Sequence, residues 1–191
     1  MPVPRPQEIA CQQVLVDDAS VFSIQSTVLP HLLAKGVTAE FLLDRYLAYI
    51  RSFTASIIRP VCKPEGVEFR LLGSSLSLIN FQVPVQEGET LVLRISGGLL
   101  VQPQQCQRGE LSFAVEPQVD GIRVSLELKD YCPLILGSSP SIIRRWLYSF
   151  TQAAVHRLVT VRFLAMLYRE LSGHKACVKV VRANVRKGRP I

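Results

Sequence analysis

The chain reads as an α+β protein: a curved antiparallel β-sheet of about 6–7 strands, packed against a long C-terminal helix and one N-terminal helix. Three observations predict this. Residues 139–171 carry the longest uninterrupted helical pattern in the chain. Residues 38–58 carry a second one. Between them, from 66 to 131, the apolar period changes from the helical value to two.

Residues 1–10 hold three of the chain's prolines, which predicts a disordered start. Residues 11–28 have strand-like content. Residues 12–16 suit a short strand, and Phe22, Ile24, Ser26 and Val28 share one side of another. Pro30 and Gly36 bracket one helical turn at most. The first helix then spans 38–58. Thr38 can cap it with its side-chain oxygen. Pro60 ends it, because a residue before proline avoids helical geometry. Phe41, Leu42, Tyr46, Tyr49, Ile50, Phe53 and Ile57 form its apolar stripe.

The strands follow. Val67, Phe69 and Leu71 alternate with Glu68 and Arg70, and Gly73-Ser-Ser turns the chain. Residues 76–83 run to a second turn at Gln86-Glu-Gly-Glu. Leu91, Leu93, Ile95, Leu99 and Val101 share a face interrupted by Gly97-Gly98, which predicts a bulge or bend. Leu111, Phe113 and Val115 alternate with polar residues up to the hairpin signal Asp120-Gly121. Ile122, Val124, Leu126 and Leu128 complete the series. Such a meander is solvated on one side, and its apolar side needs a cover. Each large side chain covered contributes roughly 1.5–3 kcal/mol.

The long helix supplies that cover. Ser139 suits its cap, Pro140 its first position and Gly173 its stop. On a wheel, Ile143, Leu147, Phe150, Ala154, Leu158, Val161, Ala165 and Tyr168 share the apolar side, widened by Ile142, Trp146 and Leu164. Arg145, Ser149, Gln152, His156 and Thr160 fall on the polar side. Residues 177–182 then read as an edge strand before a basic end. The organisation is therefore 1–10 as a disordered N-terminus, 11–173 as one α+β domain, and 174–191 as a basic C-terminal strand and tail.

The 191 residues carry a net charge of +7, unevenly placed. Residues 139–191 hold eleven Lys and Arg against one acid, Glu170, giving +10; the rest holds eleven against fourteen, giving −3. No charge-free run reaches the ~18 residues of a membrane span. Five widely spaced cysteines without a C-x-x-C read as reduced thiols, which points to a cytoplasmic protein. His174 and Cys177 stand three residues apart, but two ligands do not make a site, and His31 and His156 have no nearby partner, so neither metal nor cofactor is expected.

The stretch GELSFAVEPQVDGIRVSLELKDYCPLIL leading into the long helix, with the order helix, meander, helix before it, resembles the helix-grip fold of the START and Bet v 1-like, polyketide-cyclase-like superfamily. The resemblance covers roughly 12–172 and rests on element order. It implies an apolar cavity between sheet and last helix. It implies no one chemistry, since function is grafted onto folds.

No nucleophile elbow, dinucleotide fingerprint or P-loop occurs. The sheet carboxylates Glu110, Glu116 and Glu127 lie on the polar face, so no acid–base pair is indicated. The expected function is non-catalytic: holding a small apolar or lipid-like ligand between sheet and C-terminal helix. Asn80, Arg94, Tyr131, Trp146, Phe150 and Ala154 are its candidate lining. The alternative is an interaction module. In it Lys175, Lys179, Arg182, Arg186, Lys187 and Arg189 dock on an anionic partner, nucleic acid or a membrane surface. An enzyme of cyclase or hydrolase type would need two or more titratable groups converging in the pocket.

Overall fold

In the computed structural model, which describes residues 6–105, 107–137, 141–173 and 177–191 (Phe150 by its backbone alone), two strands precede the first helix. They are β1 (Gln7–Leu15) and β2 (Val21–Leu29), paired antiparallel from Ile9↔Thr27 to Leu15↔Val21. Strand β1 starts at Gln7, so the expected disorder of 1–10 does not extend through Gln7–Ala10.

Helix α1 spans Ala39–Phe53, and the Thr38 hydroxyl accepts from the Phe41 N–H at 3.1 Å. It ends at Phe53, short of the expected 58. Thr54 closes it by donating its N–H to the Ile50 carbonyl at 3.1 Å. Ala55 and Ser56 then turn left-handed (φ 49° and 63°) and lead into β3 (Ile58–Lys63). Pro60 therefore sits in an edge strand, where a missing N–H removes no ladder bond.

Strands β4 (Gly66–Leu71), β5 (Ser77–Phe81), β6 (Val85–Glu87), β7 (Thr90–Gly97), β8 (Glu110–Gln118) and β9 (Gly121–Tyr131) follow. After them come α2 (Ile142–Tyr148), a π-helical turn at Ser149–Ala153, and α3 (Ala154–Ser172), closed by Gly173 at φ 69°. The N-cap of α2 is Ser141; the expected cap Ser139 and Pro140 lie outside the described residues. Two strands end the chain, β10 (Val178–Arg182) and β11 (Arg189–Pro190).

The strand order is β10-β1-β2-β9-β8-β7-β5-β4-β3, with β11 on β1 and β6 on β7. Eleven strands among the described residues replace the expected 6–7. The strands not expected are β3, the short β6 and the terminal β11, while β10 is the edge strand expected over 177–182. The sheet is also mixed, because β10 runs parallel to β1. A Cβ on Gly98 would lie 2.5 Å from the Leu78 carbonyl oxygen, so the expected Gly-Gly break is a close backbone approach.

Both α1 and α3 lie on one face. Tyr46 of α1 meets Phe113 of β8 and Phe163 of α3 edge-on, with centroids 5.4 and 5.2 Å away. Beneath α3, Phe163, Leu164 and Leu167 are fully buried. The expected stripe is displaced. Thr160, assigned to the polar side, is fully buried, while Leu158 is exposed. On α2 only Tyr148 is buried, and Ile142, Ile143, Trp146 and Leu147 face solvent. The cause is the π turn. It holds one residue more than an α turn, so the faces after it rotate by about 100° relative to a straight wheel.

Candidate functional site

The site follows from a mismatch between helix and sheet. Helix α3 runs over β1 and β2, and β10 extends the sheet one strand beyond β1. A groove remains along the helix flank, with a volume of about 480 Å³. Ala154, Leu158 and Val161 form its helical wall, Val180 and Ile191 its sheet wall. Gln13, Ser149 and Arg157 supply its polar groups. Its small residue, Ala154, follows directly on the π turn and leaves the opening wide.

A second hollow of about 300 Å³ adjoins it, sharing Gln13, Arg157, Val180 and Ile191. It is the notch where β10 leaves β1 and β11 returns to it. Ala183 donates to the Cys11 carbonyl at 3.0 Å on one side, and Ile191 donates to the Gln13 carbonyl at 3.3 Å on the other. Arg182 joins Arg157 in the lining. The two hollows form one trough, apolar along the helix and cationic at the notch.

The trough rests on a polar lane inside the sheet. Gln13 donates its side-chain N–H to the Ala153 carbonyl at 3.2 Å. Gln25, fully buried, donates to Ser23 Oγ at 2.9 Å and approaches Cys11 Sγ at 3.5 Å. Gln7 reaches Thr27 Oγ1 and the Leu164 carbonyl, each at 3.4 Å. The Oε1 atoms of Gln7 and Gln25, and both side-chain polar atoms of Gln152, are buried without a protein partner. Burial also depresses the His156 imidazole to a pKa of about 4, so it is neutral at pH 7. The groove's lining contains no carboxylate and no histidine, so its one hydroxyl, Ser149, has no general base among the lining residues.

The sequence-derived lining residues are scattered. Ala154 lines the groove. Asn80 is on β5, toward the far end of the sheet, with Oδ1 buried and unpartnered. Arg94 on β7 pairs with Glu87 at 2.7 Å and Glu110 at 3.2 Å. The Tyr131 hydroxyl donates to the Leu100 carbonyl at 2.9 Å, a structural bond at the end of β9. Trp146 is exposed on α2. The Phe150 side chain lies outside the described part of the structure. Beneath the helix Phe163, Leu164 and Leu167 are fully buried, and the groove described here lies on the helix flank.

The basic segment is woven into the sheet edge. Lys179 pairs with Glu8 at 2.8 Å, and Arg186 with Asp130 at 2.9 Å. Arg186 also lies over the Phe22 ring, 5.5 Å from its centroid. Arg182 lines the notch, Arg189 pairs with Leu15 in β11, and Lys187 is exposed. Lys175 lies outside the described residues. Sequence reasoning missed Gln13, Arg157, Val180 and Ile191. The alternation of Gln13 with core residues Ile9 and Leu15 was the one available signal for the first of them.

No protein-family model matches this chain, and no curated protein matches it by sequence. Solved structures resemble it distantly. CalU16 from Micromonospora echinospora, a crystal structure, has 14% identity over 88% of this chain and 92% of its own, with a TM-score of 0.41. A Thermobifida fusca protein solved by NMR has 14% identity over 81% and 95%, with a TM-score of 0.48. The Aha1 dimer from Colwellia psychrerythraea has 13% identity over 78% and 93%, with a TM-score of 0.38. No property of these proteins is carried over to this chain.

Proposed function

We propose that this chain is a non-catalytic binding protein for a small, lipid-like amphiphile. The apolar part lies in the groove against Ala154, Leu158, Val161, Val180 and Ile191. An acidic end group meets Arg157 and Arg182 at the notch. The observation that carries this reading is the trough itself: an apolar channel of about 480 Å³ continuous with a notch that two arginines line. That volume lies within the range of small-molecule sites, roughly 300–1,000 Å³. An arginine offers a carboxylate or phosphate paired, planar donors.

The groove's lining holds no acidic residue and no histidine to activate its one hydroxyl, Ser149, which supports binding over turnover. Docking of the 174–191 segment on nucleic acid or an anionic membrane is less well supported, because Lys179 and Arg186 each already hold a carboxylate.

Displacement of a fluorescent fatty acid tests the reading, combined with native mass spectrometry of the purified full chain. Wild type should bind the probe. Ala154→Phe fills the groove and should abolish binding. Arg157→Gln should weaken it roughly tenfold, chiefly for probes with an acidic end. A wild type that binds no probe, or an Ala154→Phe variant that binds as well as wild type, would refute the proposal.

A further inference from the structure

Helix α2 is amphipathic in the reverse sense to the rest of the fold. Its apolar side chains point away from the protein. Ile142 is 69% exposed, Ile143 79%, Trp146 63% and Leu147 52%. At about 100° per residue these four fall within one arc of about 140°. Tyr148, on the opposite side, is the one residue of α2 that is buried. Arg144 and Arg145 stand on either side of Tyr148, at the borders between the apolar arc and the protein body. Leaving four large apolar side chains in water on two turns of helix is costly, and such a patch marks a contact surface.

The charges decide what kind of contact. No acidic residue occurs from 139 to 169, and the 139–191 segment carries +10. A second copy of this chain, seated isologously on the patch, would bring its own Arg144 and Arg145 against these two. A nucleic acid would meet the arginines but leave the apolar arc in water. An anionic lipid surface satisfies both features. The arc enters the acyl boundary, the indole sits at the headgroup level, and the flanking guanidinium groups reach the lipid phosphates. No helix among the described residues is long and apolar enough to cross a membrane, so the contact is interfacial.

We infer that α2 is a membrane-docking element, through which Ile142, Ile143, Trp146 and Leu147 insert into an anionic bilayer surface. The inference stands apart from the ligand proposal, since none of these four residues lines the groove. Loading from a membrane would join the two.

Trp146 is the chain's single tryptophan, so its fluorescence reports on the patch alone. The full chain is mixed with vesicles of phosphatidylcholine, or of phosphatidylcholine with phosphatidylglycerol, and co-sedimentation is read in parallel. The expected result is a blue shift and protection from an aqueous quencher with the mixed vesicles. Added salt should weaken the binding without abolishing it. Ile142→Asn with Ile143→Asn should bind roughly tenfold or more weaker, because apolar insertion is lost. Leu147→Asn gives a second variant should the first fold poorly, and far-UV circular dichroism checks both. Arg144→Gln with Arg145→Gln should remove most of the preference for phosphatidylglycerol. Ala154→Phe should bind vesicles as wild type does, which separates failure here from failure of the groove. No response to mixed vesicles would overturn the inference. So would a blue shift that grows with protein concentration alone, which signals self-association. Undiminished binding by the isoleucine variant would overturn it too, since the basic tail would then be the anchor.

Discussion

Gln13 and Ala153, 140 positions apart, are joined by a 3.2 Å hydrogen bond from the glutamine amide to the alanine carbonyl. The bond sits on the wall of the groove and ties the π turn to β1. A π turn leaves carbonyls poorly paired within the helix, and this one takes its donor from the sheet. The extra residue it accommodates is what turns the apolar arc of α2 outward while α3 keeps its own apolar side inward.

Replacing Gln13 with leucine removes that donor. Stability should fall by about 0.5–1.5 kcal/mol. Hydrogen exchange should speed up at Ser149–Ala153 and leave α1 unchanged. Protection of the π turn equal to wild type would show that Gln13 does not hold it.

Tyr46 and Phe163 hold the two helices together on the sheet. Phe163 is fully buried. Phe163→Ala should cost about 3–5 kcal/mol in urea denaturation. A double-mutant cycle with Tyr46→Leu and Phe163→Leu should show coupling of about 0.5–1.5 kcal/mol beyond burial.

His156 gives the fold an acid-side weakness. Its folded pKa of about 4 lies below the ordinary 6.5. The unfolded chain therefore binds the extra proton between those values, and stability rises with pH across the window. The contribution is complete above about pH 6.5 and is lost as pH falls toward 4. The residue as a whole is half-buried. That limits the loss to the order of 1–2 kcal/mol. Glu127, raised by burial, acts in the opposite direction nearby, so the comparison must be with His156→Gln. That variant should show a flatter stability profile between pH 6.5 and 4; an unchanged profile would exclude His156 as its source.

Gln12 clasps the C-terminal segment on the far face of the sheet. Its Oε1 accepts from the Val185 and Arg186 N–H groups at 2.7 and 3.0 Å, and its amide donates to the Arg186 carbonyl at 2.7 Å. Gln12→Leu should release residues 183–187, at a cost of about 1–3 kcal/mol to local stability. Trypsin should then cut faster after Arg182, Arg186 and Lys187, read by mass spectrometry of the fragments.

Local signals suffice for the α+β class, the two helices and the five longer strands between Gly66 and Tyr131. Each is written in local signals: the Thr38 cap, the Asp120-Gly121 turn and the strict alternation of β9. A local pattern also says that a side of α2 is apolar, but not which way that side points. That direction is set by packing, because one residue added at the π turn rotates everything beyond it. Tertiary packing also decided the groove. Gln13, Arg157, Val180 and Ile191 lie on four separate segments, and they meet because β10 adds itself beside β1, a pairing with no short-range signature. Alternation and capping act over a few residues, whereas a wall built from distant segments is fixed by which surfaces bury one another best.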